Sequence, residues 1–81
     1  MTIEILGDAG TDCKQLEQNM QEALVLLGTT ADIVHVTDVD DIREYGVSEL
    51  PSLVVDGEVL LEGKLASAKE IRTWMVARGH A

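Results

Sequence analysis

The chain has 81 residues, 46% of them hydrophobic, with fifteen acidic residues against six basic ones and a formal net charge of −9. That length holds one domain and a modest core, burying roughly 60–65% of the surface an unfolded chain exposes. The charge excludes nucleic acid and an anionic membrane surface as partners, because both draw their affinity from Lys and Arg clusters that are absent here. A surplus of negative charge also keeps a small protein soluble.

Thr2-Ile3-Glu4-Ile5-Leu6 alternates apolar and polar side chains and ends at Gly7, which predicts a first strand. Gly7 to Asp12 is rich in turn residues, and Thr11 or Asp12 is expected to cap the helix that follows. In that helix Cys13, Leu16, Met20, Ala23, Leu24 and Leu27 recur at spacings of three and four and form one apolar stripe, with Gly28 as the stop. Ala31 to Thr37 is rich in β-branched residues and predicts a second strand. Asp38 caps a short helix through Ile42 and Tyr45, closed by Gly46. Ser52-Leu53-Val54-Val55 predicts a third strand, Asp56-Gly57 a hairpin turn, and Glu58 to Leu61 the returning fourth strand. Ser67 and Glu70 have the capping-box spacing and open a last helix that turns Ala68, Ile71, Trp74 and Met75 inward.

The predicted order is therefore β-α-β-α-β-β-α over a single domain, residues 1–81. A helix between the first two strands requires that they run parallel, and the hairpin adds an antiparallel pair. The expected fold class is α/β, a four-stranded mixed sheet with helices on both faces. The N-terminus shows no basic stretch leading into an apolar run, and no apolar stretch approaches about 20 residues, so a cytoplasmic location is expected.

There is one cysteine, so no intramolecular disulfide forms. Cys13 is placed in the first turn of a helix, where the dipole favours thiolate. Its place at the head of the apolar stripe and the carboxylates of Asp12 and Asp8 work the other way. The two histidines, His35 in a strand and His80 near an end expected to fray, do not make a metal site with Cys13. Asp38, Asp40 and Asp41 are read as helix-start residues, and neither a metal nor a cofactor is expected. Pro51 has a plain reading as the first residue of an edge strand, where a missing N–H costs nothing.

Ile5-Leu6-Gly7, then Cys13-Lys14-Gln15-Leu16-Glu17, and downstream Glu44-Tyr45-Gly46-Val47 before Leu50-Pro51-Ser52-Leu53-Val54-Val55-Asp56-Gly57, together resemble the small thioredoxin-like proteins of the glutaredoxin-like, redox-active-disulfide type. The resemblance runs over nearly the whole chain. It implies a thioredoxin-like fold and a Cys-x-x-Cys at the start of the first helix. It also implies a cis proline at Pro51, with Leu50 offering its backbone to an extended peptide. The four positions of the Cys-x-x-Cys slot read Gly10-Thr11-Asp12-Cys13 here, so Gly10 stands where the resemblance puts the nucleophile and Cys13 where it puts the resolving thiol. Dithiol exchange needs both sulfurs. Two functions follow as expectations: a binding or regulatory module with a protein or peptide partner, or a redox protein acting through Cys13 alone. An otherwise active oxidoreductase in which Gly10 is a single departure stays open beside them.

Overall fold

Alternation in the first segment makes β1 (Thr2–Leu6) a strand whose Ile3 and Ile5 point to one face of a sheet and whose Glu4 points to the other. The computed structural model describes residues 1–8 and 11–80, with the backbone alone at Thr11. After β1 come α1 (Thr11–Leu27), β2 (Asp32–Val36), α2 (Val39–Glu44), β3 (Ser52–Val55), β4 (Glu58–Glu62) and α3 (Ala68–Ala77). The sheet order is β2-β1-β3-β4. The two strands joined through α1 run parallel, with Ile3 opposite Ile33 and Ile5 opposite His35, as a helical crossover demands. β3 runs antiparallel to β1, and β4 antiparallel to β3.

The hairpin forms at Asp56-Gly57, where φ is 47° and 85°. Positive φ at both central residues gives the local twist that matches right-twisted strands. Asp56 does more than turn the chain. Its carboxylate accepts the Thr2 N–H at 2.8 Å and its own N–H donates to the Thr2 carbonyl at 2.9 Å, which ties the hairpin to the start of β1. Leu53 pairs with Leu61 and Val54 with Val59, so Leu60 is an extra residue and β4 carries a bulge.

The two faces are covered unequally. Ile3, Ile5, Leu53 and Val55 meet Leu16, Met20 and Ala23 of α1 and Ile71 and Met75 of α3 in the main core, with Trp74 at its margin. On the other face Leu6 and Val54 pack with Ile42 of α2, ringed by Val36, Tyr45, Val47 and Val59. Glu4, on that second face, accepts a hydrogen bond from the Tyr45 hydroxyl. That bond, with burial and nearby carboxylates behind it, holds the phenol well above its usual range, at about 12.

The ends of the elements show why the local readings hold or fail. The Asp38 carboxylate accepts the N–H groups of Asp40 at 2.8 Å and Asp41 at 3.2 Å, so this acidic run serves the start of α2. Ser67 and Glu70 make the reciprocal capping box of α3. At α1 the expectation fails. Thr11 and Asp12 already lie inside the helix, and a capping residue needs non-helical backbone. Asp12 instead contributes a negative charge to the first turn. His80 does not fray: its N–H donates to the Met75 carbonyl at 2.8 Å, and its ring meets Glu58 at 2.8 Å. Among the described residues no helix is long and apolar enough to cross a membrane.

Candidate functional site

Three pieces of chain converge at the end of β1. Gly7 follows the strand and keeps the ladder going through its N–H, which donates to the Val36 carbonyl at 3.1 Å. Cys13, in the first turn of α1, heads the buried stripe and is 5% exposed. A β-carbon placed on Gly7 would stand 2.8 Å from Cys13 Sγ and within 3.7 and 3.8 Å of Pro51 Cα and Cβ. Gly7 is therefore the spacer that lets the thiol and the proline approach the strand end, and its φ of +148° is one that a side chain resists.

The Leu50–Pro51 peptide is cis. Around it the backbone is held from several sides. Ser52, fully buried, donates its hydroxyl to the Glu49 carbonyl at 2.6 Å across the bond. The Gly63 N–H donates to the Pro51 carbonyl at 2.8 Å, and the Ser48 N–H to Glu62 Oε1 at 2.6 Å. Leu50 itself projects outward, 49% exposed. Among the described residues no backbone hydrogen bond takes up its N–H or its carbonyl. The edge-strand reading of Pro51 needs correction. β3 is an interior strand between β1 and β4, because the hairpin folds β4 back onto the outer side. Pro51 precedes the first residue of β3, so its missing N–H removes nothing from the ladder.

The electrostatics of the thiol go against the helix dipole. Burial pushes the Cys13 thiol up from its ordinary value, and Asp8 and then Asp12 push it further. Only the thiolate is nucleophilic. Native Cys13 is therefore expected to react with iodoacetamide at neutral pH at least about tenfold more slowly than the same cysteine in the unfolded chain. Mass spectrometry of timed aliquots, with and without denaturant, measures the ratio. The linkage has a definite sign. The folded chain holds the thiol proton to higher pH than the unfolded chain does. The contribution is thus neutral below the ordinary thiol range, and stability falls as pH rises through it.

Of the residues singled out from the sequence, Cys13 and Pro51 are brought together about Gly7, and Leu50 is placed beside them with its side chain outward. Asp12 is exposed next to Cys13. Gly10 lies outside the described residues, and of Thr11 only the backbone is described. His35 is paired with Glu17 of α1 at 2.8 Å. Among the described residues no group of three or more His, Cys, Asp or Glu is placed to hold a metal. Gly7 and Ser52 are the contributors that sequence reasoning passed over. Gly7 reads as a strand stop, and its position directly between a strand and a cysteine-bearing helix is the signal that marks close approach. Ser52 opens an otherwise apolar strand, and a polar residue there signals a buried partner.

A sheet of this order, with α1 crossing between its parallel strands and a proline opening β3, is thioredoxin-fold architecture. The chain belongs to the thioredoxin family: residues 1–76 match the family model for the thioredoxin domain. It is 40% identical over 72 residues to a thioredoxin of Methanothermobacter thermautotrophicus, covering 89% of this chain and 94% of that one. It is 38% identical over 72 residues to a thioredoxin of Methanocaldococcus jannaschii, covering 89% and 83%. A solved structure described as a malarial protein superposes with a TM-score of 0.66 over 94% of this chain and 93% of the other at 13% identity, which is a likeness of fold. The chain is thus a thioredoxin-fold member of a redox family.

Proposed function

We propose that this chain works as a protein- or peptide-binding, regulatory module that keeps the thioredoxin scaffold and has given up dithiol exchange. The observation that carries this reading is the single cysteine, with Gly10 at the other end of the Gly10-Thr11-Asp12-Cys13 slot. In dithiol exchange one thiolate attacks a substrate disulfide and expels a thiolate, leaving a mixed disulfide. A second thiolate then attacks that bond, releases the reduced substrate and leaves an internal disulfide. With one sulfur the second displacement has no internal nucleophile. What remains is a surface at Leu50, exposed and with its backbone groups unclaimed among the described residues, which suits strand-like contact with an extended segment.

The competing reading, exchange through Cys13 alone, is disfavoured by the 5% exposure of that residue and by the direction in which its surroundings push the thiol. In an insulin-reduction assay with dithiothreitol the protein is expected to give no turnover above the dithiothreitol background. Robust turnover overturns the proposal. Gly10→Cys supplies the missing sulfur. The expected variant loses both free thiols on mild oxidation, regains them on reduction, and reduces insulin. An inert variant would mean that the surrounding surface no longer accepts a disulfide substrate.

A further inference from the structure

Charge is divided unevenly along this chain. Fourteen of the fifteen acidic residues precede Lys64, with only Lys14 and Arg43 against them, which leaves −12 on residues 1–63. Residues 64–81 carry Lys64, Lys69, Arg72 and Arg78 against Glu70, or +3. The surface around Leu50 belongs to the acidic part. Asp8 follows Gly7, and Asp12 adjoins Cys13. Both lie near enough to oppose ionisation of the thiol. Glu49 precedes Leu50, and its side chain lies against Gly63. Glu62 stands beside it, holding the Ser48 N–H.

The cation that follows these acidic residues in sequence is paired on α3. Lys64 Nζ is 2.9 Å from Glu70 Oε2 and 5.0 Å from the centre of the Trp74 ring, so its charge is spent on α3. Lys14 is exposed and follows Cys13 in the first turn of α1. An exposed apolar side chain with carboxylates on its own and neighbouring segments selects its partner by charge as well as by shape.

We propose that the Leu50–Pro51 surface takes an extended partner segment in which Lys or Arg residues flank an apolar side chain, the apolar group meeting Leu50 and the cations meeting Asp12, Glu49 and the carboxylates beside them. This rests on the reading of that surface as a protein-binding site, and it adds the chemistry of the partner. Exposed ion pairs act mainly on encounter rate and discrimination, and they weaken as salt screens them.

The test uses three short synthetic peptides with one apolar core sequence, flanked by Lys, by Ser or by Glu, titrated into isotopically labelled protein and followed by amide chemical shifts. The Lys-flanked peptide is expected to shift the Gly7, Cys13 and Leu50 amides with about tenfold higher affinity than the Ser-flanked one, as a few exposed ion pairs supply. The gap should narrow as salt is added. Asp12→Asn with Glu49→Gln should remove most of that advantage. Glu22→Gln with Asp40→Asn, which changes net charge equally at remote exposed positions, should preserve it; thermal melts check that both variants stay folded. Equal binding of all three peptides at those amides overturns the basic-segment inference while the binding surface stands. An equal loss in the remote variant overturns it too, by assigning the effect to overall charge. If none of the peptides moves those amides, the binding-module reading itself falls.

Discussion

Gly7→Ala is expected to destabilise the fold by about 2–4 kcal/mol, through backbone strain at positive φ and overpacking against a filled site. The added methyl would meet Cys13 Sγ at 2.8 Å, and neither neighbour moves freely: Cys13 is anchored by the α1 stripe, and Pro51 by the hydrogen bonds around it. The two causes separate in a double-mutant cycle. Cys13→Ala deletes the sulfur, so Gly7→Ala in that background should cost at least about 1 kcal/mol less than in the parent, leaving the φ term. Urea denaturation of the four proteins gives the coupling energy. A Gly7→Ala variant as stable as the parent would show that the thiol and the proline do not close on the strand end as described.

Ile5→Ala should cost on the order of 3–4 kcal/mol, by lost burial and the cavity it leaves. Ile5 is fully buried in β1, between His35 of β2 and Leu53 of β3, and faces the layer built by α1 and α3. Collapse of the cavity is hindered because the strands on both sides are hydrogen-bonded in register. For a domain of this size that loss corresponds to a fall in Tm on the order of 15–25 °C, a large share of a typical total stability of about 5–15 kcal/mol. Differential scanning calorimetry measures it. A fall of only a few degrees would place Ile5 outside the core. The solvent-exposed Val25 of α1, 79% exposed, is the matched control, and Val25→Ala should leave Tm nearly unchanged.

The elements were legible because each was announced by residues a few positions apart. Alternation marked β1, spacings of three and four marked the buried side of α1, Asp56-Gly57 marked the hairpin, and Ser67 with Glu70 marked the start of α3. The site was legible only in part. Cys13 is marked by being the lone thiol, and Pro51 by the family resemblance of the segment around it. The place of Gly7 between a strand and a cysteine-bearing helix hints at a close approach, but which groups meet there is set by the packing of α1 and the Pro51 segment on the strand end. The balance of forces on the thiol was visible in kind, since burial and Asp8 and Asp12 were all nameable. Its outcome required the actual depth of Cys13.

The order of amino acids alone determined which segments are strands and helices, which side of each is apolar, and where most of them start and stop, since these follow from dihedral preference and periodicity within one or two turns of chain. Folding in three dimensions decided the rest. It put β3 inside the sheet, paired His35 with Glu17 and His80 with Glu58 across 18 and 22 residues, and joined Tyr45 to Glu4 and Asp56 to Thr2 across 41 and 54. Such contacts depend on how distant segments are stacked. No local pattern encodes them, because the energy that selects them comes from burying both faces of one sheet at once.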